Sequence, residues 1–107
     1  MRDMYTVIET LVYARKADRL LTDEDRETFA AFVSANPDAE AVVRGSGGVR
    51  KVRFAQVGRG KSGGVRVIYY NRLANGEVWL LTMYGKGERS TIPAHELKVI
   101  KEAIEHG

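Results

Sequence analysis

VRVIYYNRLANGEVWLLTMY, residues 65 to 84, decides the fold. Two β-prone runs, VRVIYYNR (65–72) and EVWLLTMY (77–84), flank Asn75-Gly76, the dipeptide favoured in a two-residue type I′ turn. The stretch therefore reads as an antiparallel hairpin. On its first strand Arg66, Ile68, Tyr70 and Arg72 share one face, so Tyr69 and Tyr70 point to opposite sides. On its second strand the same alternation groups Trp79 with Leu81 and Met83, a core set rather than a base-stacking platform. An arginine among apolar neighbours in a central strand calls for a carboxylate partner or an anionic ligand. No acidic residue occurs between positions 41 and 76, so a carboxylate would have to come from a distant segment.

Upstream, RKVRFAQ (50–56) alternates as a half-buried strand, with Val52 and Phe54 opposite Lys51 and Arg53. MYTVIE (4–9) reads as a first strand, Tyr5 and Val7 on one face. Tyr13, Ala17, Leu20 and Leu21 recur at helical spacing. A second helix opens at Thr22, with Asp25 three residues on as a capping-box variant, carries the stripe Phe29, Phe32 and Val33, and ends at Asn36-Pro37. Arg44-Gly45-Ser46-Gly47-Gly48 reads as a flexible turn leading into the RKVRF strand. At the far end Pro93 starts a helix with Leu97, Ile100 and Ile104 on one side. The order β-α-α-β-β-β-α describes one α+β domain over residues 1–107, without repeats or linkers.

The chain is 107 residues long, 44% apolar and 29% charged, with no cysteine. These values fit one soluble domain and exclude disulfides, thiolate nucleophiles and Cys-ligated metal sites. No apolar run approaches the roughly 20 residues of a membrane span, and the start lacks a signal-peptide core, so the expected location is the cytoplasm and no membrane partner is expected. The net charge of +3 is unevenly spread. Residues 41–76 hold all of the excess: Arg44, Arg50, Lys51, Arg53, Arg59, Lys61, Arg66 and Arg72. A basic third without interspersed carboxylates points to a polyanion, most often nucleic acid.

GRGKSGG (58–64) carries the GKS letters of a phosphate-binding loop. The loop would need a glycine where Ala55 stands and a helix after Ser62, whereas Gly63-Gly64 leads directly into a strand. The stretch reads better as a β-hairpin connection that brings basic side chains to the sheet.

GKSGGVRVIYY, followed beyond Asn75-Gly76 by WLLTMYGKGERSTIP and a terminal helix, resembles the RelE/HigB-like toxins of bacterial type II toxin-antitoxin modules, over about residues 4 to 105. The resemblance implies an N-terminal helical pair packed on an antiparallel sheet with a C-terminal helix. It implies a ribosome-dependent mRNA endoribonuclease, silenced by a cognate antitoxin. That antitoxin would be HigA-like with a helix-turn-helix domain, and the complex would bind its own promoter DNA. Arg66 matches the family's strand arginine at the scissile region. Arg59 and Lys61 fall in the basic segment before that strand, and Lys86 and Arg89 in the segment after the next. The family's late tyrosine falls on Pro93, and another of its basic positions on Gly87. Tyr84 is then the candidate substitute, unless lysine and arginine suffice. ParE-like gyrase poisons share the fold, as would a non-catalytic nucleic-acid-binding relative.

RNA cleavage by its own 2′-hydroxyl needs in-line geometry, removal of a proton and stabilisation of phosphate charge. It requires no metal or cofactor, and none is expected. His95 and His106 stand about 16 Å apart along one helix, too far to flank a phosphate. His95 reads as solvent-facing. Arg66, Lys61, Lys86 and Tyr84 are the candidate catalytic residues. Clustered cations lower a lysine's pKa, the route by which Lys61 or Lys86 would serve as base, while Arg66 would clamp the phosphate with its fixed donor fork. Lys51, Arg53, Arg59, Tyr70, Arg72 and Arg89 are the candidate RNA-binding residues.

Overall fold

The computed structural model describes residues 4–39, 41–55, 64–85 and 92–106. Strand β1 (Thr6–Glu9) is followed by helices α1 (Leu11–Leu20) and α2 (Asp23–Ala35), then by strands β2 (Val49–Phe54), β3 (Val65–Arg72) and β4 (Glu77–Gly85), and finally by helix α3 (Ala94–His106). The expected element order holds. The sheet runs β1-β4-β3-β2. Its β2–β3 and β3–β4 pairings are antiparallel as expected, while β1 joins β4 in parallel and makes the sheet mixed.

Both N-terminal helices start on threonine caps. Thr22 Oγ1 accepts the Asp25 amide at 3.1 Å, and Asp23, Glu24 and Asp25 place negative charge at the positive end of α2. Thr10 Oγ1 accepts the Tyr13 amide at 3.1 Å and donates to the Leu81 carbonyl of β4 at 2.8 Å, so one hydroxyl caps α1 and fastens it to the sheet. Arg26 of α2 completes the joint. It donates twice to the Glu9 carboxylate, at 3.0 and 2.6 Å, and once to Asp18 of α1, at 2.7 Å. This fork holds the end of β1 and both helices in one geometry.

The two faces of the sheet bury separate cores. On one face Tyr13, Ala17, Phe29 and Val33 of the helical pair close over Val52, Val65, Val67, Tyr69, Val78, Leu80 and Met83. On the other, Leu97 of α3 closes over Val49, Ile68, Tyr70, Leu81 and Tyr84, with Trp79 packed alongside. The partition depends on a β-bulge in β4. Ile68 pairs with Thr82 and Tyr69 with Leu80, leaving Leu81 unpaired between them. Alternation resets there. Met83 consequently enters the α1–α2 core, against the expectation that it shares a face with Trp79 and Leu81, and Tyr84 turns to the α3 side.

The hairpin connection also differs from the expected two-residue type I′ turn. Leu73–Asn75 form one 3₁₀ turn, and only Gly76 has positive φ, at 72°. A type I′ turn needs positive φ at both central residues, and Asn75 does not supply it. Arg72 and Glu77 close the four-residue loop as Cα partners. Among the described residues, no helix is long and apolar enough to cross a membrane.

Candidate functional site

The strand registers bring three of the candidate residues into one row across the α3 face. Arg53 of β2 is the direct Cα partner of Arg66 of β3, which is the direct partner of Tyr84 of β4. Two-residue periodicity places Arg53 on this face, because Val52 and Phe54 take the opposite core. The Leu81 bulge places Tyr84 there, nearly buried against the second core at 6% exposure. Arg66 is half-buried and Arg53 exposed. Adjacent strands stand about 4.8 Å apart, so the two guanidinium groups spring from neighbouring backbones.

Gly64 makes room for this pairing. A Cβ on it would lie 3.4 Å from the Phe54 carbonyl oxygen and 3.5 Å from Arg53 Nε. Among the described residues, no carboxylate lies in ion-pair reach of Arg53 or Arg66. The arginine nearest to them on β2 behaves differently: Arg50 points to the other face and meets Asp38 at 3.3 Å. A like-charged pair directly across two strands works against folding by some tenths of a kcal/mol. An anion at the row reverses that balance.

The next row, Phe54–Val65–Gly85, ends the sheet. In sequence, the segments bearing Arg59 and Lys61, and Lys86 and Arg89, follow directly from its strands; these four candidates lie outside the described residues. Lys51 is exposed and lies on the same face as Arg53, one alternation further from this end. Beside it opens a cavity of about 200 Å³, floored by Ile68 and walled by Val43, Ile92, Pro93, Ala94 and Leu97.

Tyr70 and Arg72 are engaged elsewhere. The Tyr70 hydroxyl donates to the Glu105 carboxylate, and Lys101 meets Glu105 at 3.0 Å while standing 6.0 Å above the Tyr70 ring. Burial, and then the hydrogen bond to Glu105, push the Tyr70 phenol up to about 12. The Glu105 carboxyl is lowered, first by the Tyr70 hydroxyl and then by Lys101. Arg72 donates to the Ile104 carbonyl at 3.4 Å and approaches Glu77 at 3.8 Å. Arg72 lies six residues from Arg66, about 20 Å along the strand. Both residues dock α3 and leave the Arg66 row.

The glycines of RGSGG serve the same docking. Ser46 is fully buried, bonded to Val43 and Val49, and a Cβ on Gly45, Gly47 or Gly48 would contact Ala94, Lys101 or Tyr70 respectively. The turn is a seat for α3. His95 is exposed in the first turn of that helix and His106 in its last. The Trp79 indole donates to Glu77 at 3.0 Å, and the ring packs on the second core. Among the described residues, no group of three or more His, Asp or Glu side chains is placed to hold a metal ion.

Sequence reasoning did not reach the cavity, because its walls come from four separate segments. The signal nearest to it is Ile92-Pro93-Ala94, an apolar step directly before a helix.

Comparison with known proteins agrees with this architecture. The sequence pattern of a family described as "RelE toxin of RelE / RelB toxin-antitoxin system" matches residues 7–106. The structure is similar to that of a free-state mutant of E. coli toxin RelE, at 21% identity and a TM-score of 0.58, over 96% of this chain and 97% of that one. It is also similar to the isolated E. coli RelE toxin, at 23% identity and a TM-score of 0.56, over 95% and 97% of the two chains.

Proposed function

The chain belongs to the RelE toxin family, whose members act with an antitoxin partner, and from that premise we propose that it is an endoribonuclease cutting mRNA in the decoding site of the ribosome. The observation that carries the reading is the Arg53–Arg66–Tyr84 row, two cations with no carboxylate in reach among the described residues, at the sheet end from which the remaining basic segments follow in sequence. Arg66 grips the scissile phosphate through two donors and stabilises the charge that grows on it. Arg53 and Lys51 hold the neighbouring backbone.

The 2′-oxygen attacks the adjacent phosphorus, the bond to the 5′-oxygen breaks, and a 2′,3′-cyclic phosphate remains. The 2′-hydroxyl proton goes to a base, and the 5′-oxygen leaves with a proton from an acid. Lys61 and Lys86 are the proposed proton carriers. Tyr84, beside Arg66, is the alternative. Arg59 and Arg89 extend the phosphate track.

The antitoxin silences the enzyme by covering this cationic row with complementary charge. The resemblance in sequence extends the proposal to a HigA-like, helix-turn-helix antitoxin and to promoter DNA bound by the pair.

Primer extension on mRNA from cells briefly expressing the protein tests the reading. Breaks that require translation are expected. Intact mRNA with damaged DNA would instead identify a gyrase poison of the same fold.

A further inference from the structure

From the cavity beside Lys51 we infer that the protein has a nucleobase pocket, which takes the base one nucleotide away from the phosphate held at Arg66. The inference rests on the proposed RNA reading of the Arg66 row and adds to it a site for a base.

The strand register fixes the separation. Lys51 is paired with Ile68, and Arg53 with Arg66, two residues along the same face and about 7 Å away. That distance matches one nucleotide step along an extended strand. A backbone whose scissile phosphate sits on Arg66 and Arg53 therefore carries its next phosphate to Lys51. The base of that nucleotide then stands over the opening between Lys51 and the start of α3.

The cavity suits a flat apolar face. At about 200 Å³ it is smaller than the roughly 300–1,000 Å³ sites that hold drug-sized ligands. Its floor, Ile68, is 3% exposed, and Leu97 opposite is 2% exposed, so both surfaces are fixed by packing. Ala94 and Pro93 are small or rigid and keep the wall from collapsing inward. Among the described residues the charged one in the lining is Lys51, a cation where a phosphate or a base carbonyl would lie. Proteins that read single-stranded RNA commonly splay out a base and hold it between apolar or aromatic surfaces while cations grip its backbone. The same combination occurs here on two adjacent rows of one sheet face. A base next to the cut is then held against Ile68, Ala94 and Leu97 by its flat face, and the cut itself is made elsewhere.

The test is an NMR titration of the full chain, with methyl and amide labels, by a trinucleotide RNA whose first and second sugars are 2′-deoxy, which blocks cleavage at both phosphates, and by its abasic counterparts. Upfield methyl shifts at Ile68, Ile92 and Leu97 are expected with the base present. They should vanish in one of the abasic counterparts, the one lacking the base that enters the pocket, and affinity should then fall at least about fivefold. Ala94→Leu, which fills the cavity, should abolish these methyl shifts and keep the amide shifts of Arg53, Arg66 and Tyr84. If that variant does not fold, Val43→Ile makes the same comparison. Amide shifts along the row, with pocket methyls unmoved, would overturn the pocket and leave the RNA reading standing. No perturbation on this face would overturn the pocket, and if mRNA on translating ribosomes also stays intact, the RNA reading falls with it.

Discussion

Arg53 and Arg66 are direct cross-strand partners on the α3 face, and among the described residues neither has a carboxylate in reach. Replacing one of them should relieve repulsion in the free protein while removing a ligand for phosphate. Arg53→Thr is expected to leave thermal stability unchanged or raise it by a few tenths of a kcal/mol. The same variant should bind RNA more weakly. Thermal melts alongside RNA titrations check both signs; a destabilised Arg53→Thr protein would show that the arginine serves the fold.

In the proposed reading Lys51, exposed on the same face as Arg53, serves as a phosphate contact and takes no part in the chemistry. Lys51→Ala should weaken RNA association at low salt and lower the slope of log affinity against log salt by about 0.7, the value for one contact to a single strand. Affinity measured across a salt series is the check. An unchanged slope would take Lys51 out of the interface.

The Tyr70–Glu105–Lys101 latch gives α3 a pH-dependent hold on the sheet. Glu105 has a lowered pKa in the folded chain, so its contribution is fully present above the ordinary carboxylate value of 4.5 and is lost as pH falls through the lower folded value. Hydrogen exchange of α3 amides should therefore accelerate, relative to β3, as pH drops below that of an ordinary glutamate. Glu105→Gln should exchange faster at neutral pH and lose this part of the pH dependence. Phenolate absorbance supplies a second reading, since Tyr70 should titrate near 12.

Arg26 is the fork that joins β1, α1 and α2. Arg26→Ala removes charge-assisted bonds to Glu9 and Asp18 in a half-buried setting and should cost about 2 kcal/mol. Urea unfolding measures it, and a loss below about half a kcal/mol would mean that the three elements are held by packing alone.

Local chemistry made much of this fold legible. The bounds of β3, the Thr22 cap and the stop at Asn36-Pro37 follow from alternation, capping and the restricted backbone before proline. The Arg66 side of the sheet was likewise readable from period-two spacing. Other features depend on contacts distant in sequence. The bulge that turns Tyr84 toward Arg66 is fastened through the Leu81 carbonyl by Thr10, 71 residues away. Nothing within EVWLLTMY announces it. The parallel seat of β1 beside β4 is equally tertiary. Tyr70 shows the limit of face assignment, because it lies on the Arg66 side as expected and is covered there by a helix whose docking only Glu105 and Lys101 make plain. Glycine spacing in RGSGG likewise fits a phosphate loop, a plain turn or a helix seat, and the packing of α3 decides among them.

The central claim, that Arg66 is the electrostatic centre of an mRNA-cutting site, is tested most directly by single-turnover cleavage of mRNA on programmed ribosomes with wild-type and Arg66→Ala proteins of equal thermal stability. Loss of one preorganised donor set at the phosphate should slow cleavage by about a hundredfold to a thousandfold, with ribosome binding retained. Cleavage by folded Arg66→Ala at the wild-type rate would contradict the account.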